Sequence, residues 1–175
     1  RYIFLERFLY MKITKKVSDL LNEQFYNELY AAHIYFAMSA ALRHSPYQGM
    51  SKWMHIQAKE EIEHAMKIYE YLIERGVEFK TDSIKKPECD YCGSPLDMFK
   101  AAYAHEQKVT AQIEKICDAA DEDKDRATSD FLAWFVKEQV EEESNTLKFV
   151  RGLEYAGDDK NLLIGVDKWA GSRAE

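Results

Sequence analysis

AKEEIEHAMK, residues 58–67, is the stretch on which the reading of this chain turns. Trp53, Gln57, Ile68 and Tyr71 mark one face of a long helix, and Glu61 and His64, three residues apart, point along that same face. Burying a carboxylate or an imidazole without a partner is costly, so further polar groups or a metal ion must meet them inside the fold.

Working outward, apolar residues recur at spacings of three and four through four long segments, at about 15–44, 50–75, 95–121 and 124–156. Three of these carry an acid on the same kind of stripe. In the first segment Leu21, Phe25, Ala32, Tyr35 and Phe36 pass through Glu28. In the third, Phe99, Ala102, Tyr103, Val109 and Ile113 pass through Glu106. In the fourth, Phe131, Phe135, Thr146, Phe149 and Leu153 pass through Gln139 and Glu142. A lone Glu at a stripe edge is ordinarily a surface residue, but one acid midway along each of four helices is a pattern.

If Glu28, Glu61, Glu106 and Glu142 converge, four negative charges share a low-dielectric interior, and either strongly raised pKa values or two divalent cations must relieve the repulsion. Oxygen ligands with a single imidazole suit Fe(II) or Mn(II), with Zn(II) not excluded by affinity order. Di-iron carboxylate bundles have a known donor pattern, two lone Glu helices and two Glu-x-x-His helices, and it serves as the reference here. The fourth helix departs from it, carrying Gln139-x-x-Glu142, so the two metal positions are expected to be unequal. Glu60, Glu138 and Glu141 lie one residue off the stripes, either as solvated faces or as a further metal site or exit path.

The connections set the topology. HSPYQG (44–49) breaks the first segment, Gly76 follows Arg75 as a helix end, and Ser94, Pro95 and Asp97 form a helix start. The first and third links are short and make antiparallel hairpins. The middle link, residues 77–94, has about eighteen non-periodic residues, enough to cross a bundle's length and make helices two and three parallel. A short fifth helix with Leu162, Leu163, Val166 and Trp169 on one side follows Gly157, to pack on its own bundle or on another subunit. The expected fold is all-α, a four-helix bundle with a long crossover and a short fifth helix.

Composition agrees: 7 Gly and 3 Pro in 175 residues favour helices, and the length suits one domain over residues 11–175. The opening RYIFLERFLY (1–10) is broken by Glu6 and Arg7, so it is expected to be an extension ahead of Met11 or a mis-set start, not a signal peptide. A formal charge of -7 without a basic patch argues against nucleic acid or anionic membrane and for cations. Three cysteines favour a reducing, cytoplasmic setting. Cys89 and Cys92 form one Cys-x-x-Cys, too few thiols to close a tetrahedral site, and leave an exposed loop, redox sensitivity or metal sharing between subunits open. Cys117 reads as a small core residue, and His33, His44, His55 and His105 as surface or packing residues.

NEQFYNELYAAHIYFAMSA (22–40), EEIEHAMKIYEYL (60–72), AYAHEQKVT (102–110) and FLAWFVKEQVEEE (131–143) together resemble the four helices of prokaryotic non-haem ferritins. The likeness covers about residues 17–170. It implies a first ferroxidase iron site at Glu28, Glu61 and His64 and a second at Glu61, Glu106 and Glu142 with Gln139 nearby. A third iron site at Glu60, Glu138, Glu141 and Glu142 and electron-supplying aromatics at Tyr35 and Trp134 also follow from it. So do oxidation of Fe(II) by O2 or H2O2, storage of Fe(III) as a mineral and a hollow homo-oligomeric shell of 24 subunits. A bacterioferritin would carry Glu-x-x-His in the fourth helix and a haem-ligating Met where this chain has Ile62, so no haem is expected. A rubrerythrin-like di-iron peroxidase or oxidase, and a storage shell without ferroxidase activity, stand as rivals.

Overall fold

A computed structural model describes residues 13–87 and 93–174. Five helices follow one another among the described residues: α1 (Lys15–Arg43), α2 (Gln48–Glu74), α3 (Pro95–Glu122), α4 (Arg126–Ala156) and α5 (Lys160–Gly171). Their ends fall within two residues of those expected from the apolar spacing. The opening decapeptide and the Cys89–Cys92 pair lie outside the described residues.

Local chemistry accounts for most of the ends. Ser94 Oγ accepts the Asp97 N–H while the Asp97 carboxylate accepts the Ser94 N–H, a reciprocal cap that starts α3 with Pro95 in its first turn. Thr14 caps α1 and Asp125 caps α4. Gly76, just past the end of α2, takes a φ of 67°, which a side chain would resist. The start of α2 has no side-chain cap from Tyr47, and the acceptor comes from far along the chain: Asp167 Oδ1 on α5 takes the Met50 N–H at 2.8 Å.

Cross-bundle contacts fix the topology. Ser39 meets Ser51 and Phe25 meets Tyr69, so α1 and α2 run antiparallel. Thr14 meets Asp123 and Tyr35 meets Glu106, so α3 runs antiparallel to α1 and parallel to α2. Arg75 pairs with Asp125 while His64 lies against Phe135, which sets α4 antiparallel to α2. The crossover after Gly76 runs back along the first hairpin. Asn22 exchanges two 3.0 Å hydrogen bonds with the Lys80 backbone, and the Phe79 ring seats against Phe25 and Tyr69.

α5 docks on its own bundle. Gly49 and Gly171 bring two backbones so close that a Cβ on Gly49 would lie 1.9 Å from the Asp167 carbonyl oxygen, and Trp169 stacks on Phe149. Leu163 and Val166 pack inward, but Leu162 is exposed, so the expected four-residue side is only partly the docked one. No helix among the described residues is long and apolar enough to cross a membrane.

The apolar interior is split in two. One cluster holds Met38, Met50, Trp53, Phe99 and Phe149, and the other holds Leu21, Ile68, Ile113, Leu132 and Phe135. Between them lies a buried polar layer.

Candidate metal centre

That layer is built by four helices, each turning in the acid its spacing places there: Glu28 from α1, Glu61 and His64 from α2, Glu106 from α3, Gln139 and Glu142 from α4. All six are buried. Phe36, read above as part of the inner stripe of α1, is exposed instead; its neighbour Tyr35 is fully buried, and Met38 and Leu42 complete the inner face. Phe25, Tyr71, Tyr103 and Phe131 are half-buried, at the edges of their stripes.

Glu28, Glu61 and His64 bring three donor atoms within 4.8 Å of one another, and so do His64, Glu138 and Glu142. The imidazole joins the two groups: Nδ1 lies 3.3 Å from Glu61 Oε2, and Nε2 lies 3.9 Å from Glu138 Oε1. Glu138 thus stands against the inner site and not on a merely solvated face. Glu106 is held apart from these two groups, accepting a hydrogen bond from Tyr35 and a 3.4 Å contact from Gln139 Nε2, which also reaches the Glu106 carbonyl at 3.3 Å. Glu60 is paired with Arg173, and it lines one surface cavity with the exposed Glu141.

Electrostatics argue for a cation. Burial, reinforced by the charge of Glu61, raises the Glu28 and Glu142 carboxyls to about 8. Burial and the charges of Glu61 and Glu142 drive Glu106 well above the carboxylate range. Burial opposes the His64 imidazolium, but hydrogen bonding and charge from Glu61, with Glu28 and Glu142, outweigh it and raise the group to about 9. Without a metal the cluster holds protons. Glu28 Oε2 and Glu142 Oε2 are nevertheless buried and meet no hydrogen-bond donor. Orphaned carboxylate oxygens beside an imidazole are the donors a divalent ion requires, so the residues fit a metal.

Two glutamines do positioning work that the stripes alone did not reveal. Gln24 Nε2 donates to Glu28 Oε1 at 2.9 Å, and Gln57 Nε2 donates to Glu61 Oε1 at 3.0 Å. The shared Gln-x-x-x-Glu spacing of α1 and α2 was the available signal, since residues four apart on a helix are neighbours. Thr110 and Glu143, hydrogen-bonded to each other at 2.6 Å beside Gln139, were also missed. Trp134 stands edge-on to His64, their ring centres 5.4 Å apart, with Lys67 over its outer face. His105 packs mostly buried against Tyr30, and Cys117 sits half-buried beside the second apolar cluster.

A crossover bundle with a buried carboxylate and histidine layer defines a ferritin-like protein with a candidate metal centre. The ferritin-like domain family matches residues 18–155. The chain belongs to the ferritin family. It is 38% identical over 161 residues to the bacterial non-heme ferritin of Staphylococcus aureus (strain USA300), covering 92% of this chain and 96% of that one. It is 40% identical to the counterpart from Staphylococcus saprophyticus, over 93% and 96% of the two chains. Among solved structures, the open pore ferritin of the hyperthermophilic archaeon Archaeoglobus fulgidus superposes with a TM-score of 0.90 at 37% identity, over 93% of this chain and all of that one. A humanized archaeal ferritin also gives 0.90, at 39% identity, over 93% and 98%.

Proposed function

We propose that this chain is an iron-storage ferritin whose buried polar layer is a ferroxidase centre. It would bind two Fe(II) ions per chain, oxidise them with O2 or H2O2, and pass Fe(III) to a mineral inside a hollow homo-oligomeric shell of 24 subunits. The observation that carries this reading is the pair of orphaned, buried carboxylate oxygens on Glu28 and Glu142, set with Glu61 and His64 between two apolar clusters. Iron here is substrate and cargo, and no haem is part of the proposal.

Glu28, Glu61 and His64 hold one ion, with Glu61 shared between the two. Glu106 and Glu142 hold the other, with the Gln139 amide oxygen a weak further donor once its side chain turns from Glu106. Gln24 and Gln57 orient their carboxylates, and Tyr35 fixes Glu106 while placing an oxidisable phenol against it. Glu60, Glu138 and Glu141 form a third, outer station for iron. The irons supply the electrons: two Fe(II) give two electrons to one O2, which takes two protons to become H2O2, or to one H2O2, which takes two protons to become two waters. The carboxyl protons displaced by iron, and those freed as Fe(III) hydrolyses, leave the layer. A cytoplasmic setting suits this chemistry and the few cysteines.

The test is stopped-flow absorbance after mixing the metal-free protein aerobically with Fe(II) at increasing iron per chain. Fast oxidation that breaks near two irons per chain, then slower uptake of many more, is the expected result. Saturation at two with no further uptake would favour a di-iron oxidase or peroxidase. Unchanged fast oxidation in the E61A/H64A double variant would overturn the site.

A further inference from the structure

Arg173, two residues beyond α5, reaches back to α2 with both of its terminal nitrogens. Its Nη2 forms an ion pair with Glu60, and its Nη1 donates to Gln57 Oε1 at 2.8 Å. The guanidinium carbon sits 4.8 Å from the centre of the Trp53 ring. The side chain is only 20% exposed, so it is not a freely moving surface group. The backbone that carries it is anchored too. Lys52 Nζ holds the carbonyl oxygens of Gly171 and Arg173 at 3.2 and 2.9 Å, and the close approach of Gly49 to Gly171 locks α5 against α2.

The consequence runs through the amide of Gln57. A guanidinium has only donors, so the Gln57 group facing Arg173 must be its oxygen. Its nitrogen then faces the other way, toward Glu61 Oε1 at 3.0 Å. At the same time the positive charge occupies Glu60, one residue away, at the wall of a surface cavity of about 440 Å³ that also touches Glu141.

We propose that Arg173 is a positioning residue of the metal centre, fixing the Gln57 amide that aims Glu61 and serving Glu60 as a built-in counter-ion that a metal must displace. The proposal rests on the reading of Glu61 as a metal ligand. It makes binding at the outer acids a competition between a cation and the protein's own guanidinium, and it links α5 to the inner pair through a single amide.

Anaerobic titration of the metal-free protein with Co(II), read by its visible absorption bands, tests this on folded protein checked by circular dichroism. In R173A the weakest Co(II) bound per chain should tighten about tenfold, because its competitor is gone. The bands of the inner ion should shift as Gln57 is released. R173K keeps a charge but not the two-nitrogen grasp, so it should restore much of the competition at Glu60 while leaving the inner bands shifted. E60Q should abolish the gain in the R173A background. Equal weak-site affinity and identical bands in wild type, R173A and R173K would overturn the role of Arg173. E61A separates the two readings: loss of inner Co(II) with no effect of R173A refutes Arg173 alone, whereas unchanged titration in E61A refutes the metal centre and the proposal with it.

Discussion

The phenol of Tyr35 on α1 donates to the Glu106 carboxylate on α3, across the middle of the bundle, with both residues fully buried. One carboxylate of the layer is therefore already held in the metal-free fold, while Glu28 and Glu142 each keep a bare oxygen.

Replacing Tyr35 with Phe removes that bond and leaves a buried acceptor short of a donor. The expected cost is about 1–3 kcal/mol in the metal-free protein, read as a lower urea midpoint at unchanged slope. Initial Fe(II) oxidation should slow in the same variant, because Glu106 loses its fixed orientation.

Glu61 faces three other carboxyls and feeds the upward shifts of Glu28, Glu106 and Glu142. Near neutral pH Glu28 and Glu142 are already protonated, whereas Glu61 is the charged partner of the buried His64 imidazolium. E61Q should therefore destabilise the metal-free protein by about 1–3 kcal/mol, or about 2–4 °C in Tm per kcal/mol for a chain of this size, while weakening metal binding at both inner positions. Calorimetric scans with and without Zn(II) measure both effects: Zn(II) should raise the wild-type Tm far more than that of E61Q.

Glu28 and Glu142 titrate near 8 when folded but near ordinary carboxylate values when unfolded, so the unfolded chain releases these protons first as pH rises. Their effect is to destabilise the metal-free fold progressively between about pH 4.5 and 8. His64, raised to about 9, adds stability that is complete below about pH 6.5 and is lost as pH rises through 9. Both act in one direction: the Tm of the metal-free protein should fall from pH 5 to pH 9. Because a divalent ion displaces these protons, Zn(II) should release acid on binding and bind more tightly at higher pH, which a pH-stat titration measures.

Gly49→Ala would force a methyl group into the Asp167 carbonyl. The expected penalty is about 1–3 kcal/mol, with the damage concentrated in α5. Hydrogen exchange should show lost protection over residues 160–171 and at the start of α2, whose Met50 N–H depends on Asp167, with α3 unchanged.

What was legible in the sequence follows the range of the forces involved. The Ser94–Asp97 cap was readable because its partners are three residues apart. The start of α2 was readable only to within two residues, because its acceptor is Asp167 on α5. Acids on the inner faces could be found because helical spacing fixes direction. Tyr35 and Phe36 are adjacent, and spacing alone did not reveal that only the first is inside. Which carboxylates share one ion's reach was still less visible. Glu138 was read as lying off the stripe, yet it faces His64, because side-chain rotation covers distances that helix registry does not encode. Arg173 escaped notice entirely, since nothing near it in sequence announces its partners on α2.

The division of the interior into two apolar clusters also bears on how the molecule breathes. Oily packing strengthens both ends of the bundle, while the waist relies on carboxylates that repel one another when charged. Transient opening should therefore concentrate at mid-height, at the proposed metal centre. Under the proposed function, loading should tighten that waist and emptying should loosen it, so the traffic of ions and the local softness that admits them would be two aspects of one design.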